Sequence, residues 1–386
     1  MTTTKTRKFY IDWLRIALIL SVFLFHIGMF FNTWGWHVKN NIQLAWLSPV
    51  MEFLHYWRMP LLFLVSGVGT YYALGHRTVK QYLKERSIRI LFPFLVGLFT
   101  LVPVQVYIEK IDQYDSLISY YPEMFNGIYP EGNFSWHHLW FLLYLFIIAL
   151  LISPFLNYLR SSSFDKFRRR LLSASSGRLG LNWMLLPLVG SQAILRQYFP
   201  DSTHALYNDW AYFTYYVLFF LAGFVLISSD ELVRKITEQR RLYLMQTLVF
   251  TLLLFSSPHI ISHAVVLDYT YGISGIVLAW SCGLAAIGYA KRYLNIDSKY
   301  RKIANEGIYP FYLLHQPIII VLGYYFSNWE VHLVIKFISF TLISFLISVA
   351  IYWLLIRPFN FMRVLFGLKV VKSQKIKGPE LVPLQE

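Results

Sequence analysis

Long apolar stretches recur from one end of this chain to the other, separated by short polar segments. Ten of them approach or exceed the roughly 17 residues that an α-helix needs to cross a bilayer. The chain is therefore predicted to fold as an all-α, polytopic transmembrane helix bundle of about ten spanning helices. The stretches are Tyr10–Phe31, Glu52–Leu74, Ile90–Ile108, His138–Leu156, Leu181–Leu195, Trp210–Ile227, Leu242–Ile261, Tyr271–Ala290, Ile308–Phe326 and Val331–Ile356.

The composition supports this class and excludes others. Hydrophobic residues make up 56% of the chain and charged residues only 14%, so a soluble domain of this composition would expose large apolar patches. The formal net charge of +15 does not indicate a nucleic-acid partner, because the basic residues fall between the apolar stretches. A single cysteine, Cys282, excludes an intramolecular disulfide framework.

The basic residues predict how the helices are oriented. If the N-terminus faces the cytoplasm, most of the 35 lysines and arginines lie in the inner segments, and only Lys39, Lys110 and Arg196 lie in outer ones. The positive-inside rule then places both termini in the cytoplasm. The first apolar stretch lacks a small-residue cleavage pattern, so we expect it to be retained. Residues 1–363 are predicted to form the membrane domain, and residues 364–386 a short, basic, disordered cytoplasmic tail.

The first apolar stretch contains two polar residues, Arg15 and His26. Their separation of eleven residues places both on one face of a helix, about 16 Å apart. An arginine in hydrocarbon costs several kcal/mol unless it is paired, snorkels or faces a wet cavity. Histidine is the side chain best suited to exchange protons near neutral pH. We therefore predict a reaction site along this face, with an anion receptor near one end and a general base near the other.

Three further arginines stand in or beside the next two stretches. Arg86 and Arg89 begin the third stretch on the side of Arg15, where three guanidiniums would suit a phosphate-bearing ligand. The alternative for this pair is an anchor on anionic lipid headgroups. Arg58 lies deep in the second stretch, where we expect an interior partner such as Glu52 or a cavity, with a snorkelling arginine as the alternative.

Histidines mark the later stretches. His138 follows His137 at the outer start of the fourth stretch, and His315 lies in the ninth, predicted in the inner half of the bilayer. A single histidine in a helix bundle is more often a packing residue than a catalyst. His259 and His263 have the i, i+4 spacing of metal ligands but no cysteine or carboxylate motif nearby, so no metal site is predicted.

Five segments, in order and covering roughly residues 9–357, resemble the landmarks of the membrane acyltransferase-3 family. They are IDWLRIALILSVFLFH with its arginine–ten–histidine spacing, MPLLFLVSG, RSIRILFP, HLWFLLYL and NEGIYPFYLLHQPIII. The resemblance implies a multi-pass protein of a bacterial inner membrane that moves a short acyl group, such as acetyl or succinyl, from cytosolic acyl-CoA to a hydroxyl of an extracytoplasmic carbohydrate or lipid-linked glycan. It implies no permanently bound cofactor, since acyl-CoA is a substrate.

The same resemblance assigns residues. It makes His26 the catalytic histidine, Arg15 its motif partner, and Arg86 and Arg89 donor-binding candidates. Arg58, His138 and His315 are candidates for stabilising the oxyanion or positioning the acceptor. With no fused extracellular domain in this sequence, we expect the membrane domain to complete the transfer itself.

Two alternatives stay open on the sequence. His26 either removes the acceptor proton as a general base or is itself acylated first. A transporter or flippase for a glycolipid or lipid-linked sugar would also use buried arginines and broken helices, although two symmetric halves are not evident. Labelled acyl-CoA separates the two functions, because only the enzyme transfers the label.

Overall fold

The computed structural model describes residues 8–74, 77–175, 177 and 180–371. Within these residues the chain is helical, and the one β contact is an isolated bridge between Ile128 and Phe134. The predicted all-α fold is confirmed. The α-helices are α1 (Phe9–Phe31), α2 (Leu47–Leu74), α3 (Val79–Arg86), α4 (Phe92–Glu109), α5 (Leu117–Glu123), α6 (Trp140–Ile152), α7 (Ser162–Ala174), α8 (Leu185–Leu195), α9 (Trp210–Ile227), α10 (Asp230–Glu238), α11 (Arg240–Ile260), α12 (Ala264–Tyr293), α13 (Lys299–Phe326), α14 (Leu333–Ile351) and α15 (Asn360–Leu365).

Each of the ten predicted stretches forms a helix of the bundle. Among the described residues, eight helical segments are long and apolar enough to cross a membrane. The other two are α2, which is long but carries Glu52 and Arg58, and α8, which has only 11 residues. The polytopic helical bundle is confirmed, while the cytoplasmic placement of both termini stays a prediction.

Contacts between neighbouring helices show how they run. Helices α1 and α13 are parallel, because Asp12 pairs with Arg301 near their starts and Phe30 lies beside Gly323 near their ends. Helix α2 runs the opposite way, with its last turns beside Arg15. We call the end of the bundle where α1 begins the Arg15 end, and the opposite end the His37 end.

Helices α2 and α9 approach each other unusually closely. A Cβ atom added to Gly67 would lie 1.9 Å from the carbonyl oxygen of Phe220, and one added to Gly223 would lie 1.9 Å from that of Leu64. Small residues at such crossings let the two backbones touch. This contact fixes the position of α2, which supplies residues to both ends of the candidate site.

The chain after α14 folds back onto the Arg15 end. Arg363 of α15 is buried and pairs with Glu306 at 2.8 Å, and Phe366 is buried as well. Residues 372–386 of the predicted tail lie outside the described residues. The division of the chain at residue 363 therefore stays a prediction.

Candidate active site

His26 of α1 and His315 of α13 form a pair in the second half of these two helices. The Nδ1 atom of His26 lies 2.8 Å from Nε2 of His315, and the rings stack with centroids 5.0 Å apart. His315 is fully buried, whereas His26 is half-buried. The sequence places His26 in the outer half of the bilayer and His315 in the inner half, whereas the structure brings the two side chains to one level of the bundle. The helical stretch containing His315 begins at Lys299, nine residues earlier than expected.

The hydrogen-bond partners assign the tautomers of this pair. Nδ1 of His315 lies 2.6 Å from the carbonyl oxygen of Tyr312, which can only accept, so Nδ1 carries the proton. Nε2 of a neutral His315 then accepts from Nδ1–H of His26. That arrangement leaves the lone pair of His26 on Nε2, and this nitrogen is the one able to take a proton.

Pro317 of α13 leaves free the backbone carbonyl that holds His138 beside this pair. Proline has no N–H, so the carbonyl of Leu313, four residues earlier in α13, loses its helical partner. Nε2 of His138 donates to that carbonyl at 3.1 Å, and its ring lies edge-on to His315 at 5.5 Å. The other ring nitrogen of His138, Nδ1, is buried with no hydrogen-bond partner in the described part of the chain.

Arg58 of α2 is buried at the same level, without an acidic partner among the described residues. Its guanidinium lies 3.6 Å from the centre of the Phe25 ring and is 4% exposed, and its Nε and Nη1 atoms have no hydrogen-bond partner among the described residues. The predicted partner Glu52 instead accepts a hydrogen bond from the Tyr271 hydroxyl, so that pairing is wrong. A buried cation with unused donors is an anion site.

At the Arg15 end, two of the predicted donor-binding arginines, Arg15 and Arg86, contact neighbouring residues of α2. Arg15 donates to Asn305 at 3.3 Å, and its Nη2 would lie 3.5 Å from a Cβ on Gly69. Arg86 donates to Thr70, the next residue, at 3.2 Å. The Arg15 side chain is 37% exposed, so it reaches solvent from within the bundle.

Arg89 turns away from this pair. Its Nε lies 3.3 Å from Glu85, which Arg77 also contacts at 2.9 Å. Residues Ser87–Leu91 form a π turn between α3 and α4, and the wider winding of such a turn separates Arg86 from Arg89. Their i, i+3 spacing predicts a common helix face, but Arg86 contacts Thr70 whereas Arg89 contacts Glu85.

Sequence reasoning did not single out Arg301, which is fully buried at the Arg15 end. It pairs with Asp12 and, at 2.6 Å, with Asp297. Asp12 precedes Arg15 by one turn of α1, so this buried pair fixes the start of the helix that carries Arg15. Trp13 lies beside this pair in sequence, and its Nε1 donates to the carbonyl of Ile296 at 3.1 Å.

A family model described as an acyltransferase domain matches residues 8–357. The chain belongs to this family. It is accordingly a membrane acyltransferase, and the resemblance seen in the five sequence segments is confirmed.

Curated relatives agree with the family. Glucans biosynthesis protein C of Salmonella agona (strain SL483) and that of Salmonella enteritidis PT4 (strain P125109) are each 25% identical to the chain over 338 residues. Each match spans 83% of this chain and 84% of the relative. No solved structure matches the chain.

Proposed function

We propose that this acyltransferase moves a short acyl group, acetyl or succinyl, from cytosolic acyl-CoA to a hydroxyl of an extracytoplasmic glycan. The observation that carries the proposal is the His26–His315 pair, which leaves a proton-accepting nitrogen on a half-buried histidine. The glycan acceptor is suggested by the relatives, whose name assigns them to glucan biosynthesis. We place the protein in a bacterial inner membrane.

The donor is proposed to enter at the Arg15 end. Arg15 of α1 and Arg86 of α3 contact consecutive residues of α2, Gly69 and Thr70. Together they offer two guanidiniums to the phosphates of CoA. Arg89 is already engaged with Glu85, so we assign it a supporting role at the rim. The eleven residues from Arg15 to His26 span about 16 Å along the helix, a distance that an extended pantetheine arm bridges.

The transfer proceeds at the level of His26. Nε2 of His26 takes the proton of the acceptor hydroxyl, and the hydroxyl oxygen bonds to the thioester carbon. The Nε and Nη1 groups of Arg58, which have no partner among the described residues, stabilise the oxyanion that forms. When the carbon–sulfur bond breaks, the proton passes from His26 to the CoA thiolate. His315 is a positioning residue, since its Nε2 fixes the tautomer and the orientation of His26.

Purified protein in nanodiscs, given acyl-CoA labelled in the acyl group and a glucan acceptor, tests the proposal. Label should appear on the glucan, and His26→Ala should reduce the rate at least 10²-fold, since positioned general bases contribute about 10²–10⁴-fold. His259→Ala, an exposed histidine on α11, is the matched control and should be unaffected. A folded His26→Ala protein that transfers label at the normal rate would refute the mechanism.

His315 variants separate positioning from packing. His315→Phe keeps an aromatic ring but removes the acceptor for His26, whereas His315→Gln restores an acceptor oxygen. We expect kcat to fall in the first variant and to recover partly in the second, with KM for acyl-CoA unchanged in both. Equal losses in both variants would indicate that His315 only fills space.

A further inference from the structure

A second polar cluster lies at the His37 end of the bundle, and the proposed transfer does not use it. It consists of His37 in the loop after α1, Glu109 at the end of α4, and His137 in the turn before α6. One potential metal-ligand atom from each residue lies within 4.8 Å of the others. It is the one such group of three that the described residues contain.

Each member of this cluster is held by a second polar group. Nδ1 of His37 lies 2.5 Å from Oε2 of Glu109, while its Nε2 faces the Gln316 amide at 3.4 Å. The other carboxylate oxygen of Glu109 accepts from the Tyr129 hydroxyl at 2.9 Å. Metal ligands in proteins are oriented by outer contacts of this kind.

His137 supplies the observation that points to a ligand. Its Nδ1 lies 3.3 Å from the Ser135 hydroxyl, but its Nε2 is buried and has no hydrogen-bond partner among the described residues. Its ring is 4.5 Å from that of His37. The backbone of His137 has a φ of +38°, a left-handed conformation that is uncommon for a residue other than glycine. An unused nitrogen is therefore held in place at a local cost.

We propose that His37, Glu109 and His137 bind a divalent transition-metal ion, with Zn²⁺ the best match to two imidazoles and one carboxylate. The ligands would be Nδ1 of His37, one carboxylate oxygen of Glu109 and Nε2 of His137, leaving a fourth position for water. The proposal departs from the sequence-based expectation of no metal site. It does not depend on the proposed acyl transfer.

Binding requires a small, defined rearrangement. Two ligand atoms on one tetrahedral zinc lie about 3.3 Å apart, so the 2.5 Å contact between His37 and Glu109 must widen. The proton on Nδ1 of His37 leaves to solvent and a solvent proton is taken up on Nε2, so that Nδ1 of the neutral imidazole is free to bind the metal. The Gln316 amide then rotates to present its oxygen to the N–H at Nε2.

Metal content of the full-length protein tests the site. Protein stripped with a chelator and dialysed against a small excess of Zn²⁺ should retain one zinc per chain. X-ray absorption should show nitrogen or oxygen ligands at about 2.0–2.1 Å. Glu109→Gln and His137→Gln should each reduce retained zinc to background. These conservative variants are chosen to keep most hydrogen bonds, and a melting curve shows whether each one folds.

A matched control comes from the other histidine pair. The double variant His259→Ala/His263→Ala removes two exposed histidines and should retain one zinc per chain. Wild-type protein that retains no zinc overturns the proposal, as does zinc that disappears in this control or persists in folded Glu109→Gln. None of these readouts requires acyl transfer, so failure of the site and failure of the proposed function are distinguishable.

Discussion

Replacing Arg58 with methionine should make the protein more stable and less active. The guanidinium is 4% exposed, and its Nε and Nη1 atoms have no partner within the described residues. Each unsatisfied buried donor costs about 1–3 kcal/mol, so the two together cost about 2–6 kcal/mol. The contact with Phe25 at 3.6 Å returns about 0.5–2 kcal/mol. Methionine fills similar space with a flexible apolar chain, so a net gain of about 2–4 kcal/mol is expected.

The same substitution should slow acyl transfer. Loss of one oxyanion donor typically lowers kcat by about 10²–10³-fold, and KM for acyl-CoA should change little because the CoA phosphates are expected at the other end of α2. Lys336→Met is the matched control. Lys336 is also buried, but its Nζ donates to Asn41 at 3.2 Å and to the carbonyl of Ser327 at 2.9 Å. Its replacement should therefore lower stability and leave transfer intact.

Reversible unfolding in mixed micelles and label transfer by the same preparations measure both effects. If Arg58→Met lowers the free energy of unfolding as Lys336→Met does, the reasoning about an unpaired buried charge is refuted. If it raises stability but transfer continues at the normal rate, Arg58 does not stabilise the oxyanion.

Three further predictions follow from packing and charge. Gly67→Ala should destabilise the protein by about 3 kcal/mol or more, because the new Cβ would lie 1.9 Å from a backbone oxygen of α9. In the control Gly190→Ala, the new Cβ has nothing within 4 Å, so this variant should be neutral or slightly stabilised. Thermal melts compare the two variants. Asp12→Asn leaves fully buried Arg301 with one carboxylate and should cost about 3 kcal/mol in chemical unfolding, and no loss would contradict the pairing. Burial raises the pKa of Asp209 to about 6, so between about pH 4 and pH 6 the folded protein keeps a proton that the unfolded chain releases. The free energy of unfolding should therefore fall by about 3 kcal/mol as the pH rises from about 4 to above 6. Unfolding of Asp209→Asn should lack that pH dependence.

The fold was largely predictable because hydropathy is a local property. A run of apolar residues must satisfy its own backbone hydrogen bonds in a bilayer, so each stretch is forced into a helix whatever its neighbours are. All ten predicted stretches are helices. The differences lie at helix ends. Helix α2 begins at Leu47 rather than at Glu52, and the helical segment that contains the third stretch begins at Val79 rather than at Ile90. Each helix therefore continues beyond the stretch assigned from hydropathy.

The candidate site was predictable only in part. His26, Arg15, Arg58 and His315 were singled out because polar groups are costly in hydrocarbon. Their partners were not predictable. The sequence offered Arg58 either an interior partner such as Glu52 or a cavity, and Glu52 lies instead against Tyr271. A partner depends on how two helices rotate and slide against each other, and single-helix periodicity carries no such information.

The sequence by itself determined that this chain crosses a membrane many times, that Arg15 and His26 share one face of the first helix, and that the chain resembles an acyltransferase family. Those properties follow from hydropathy, from 3.6-residue periodicity and from motif order, all of which are read along one segment at a time. Only the tertiary structure decided that His315 contacts His26, that Arg58 has no acidic partner in the part of the chain the structure describes, and that His37, Glu109 and His137 meet. The last three are separated by dozens of residues, and only the packing of helix ends against one another brings their side chains within reach.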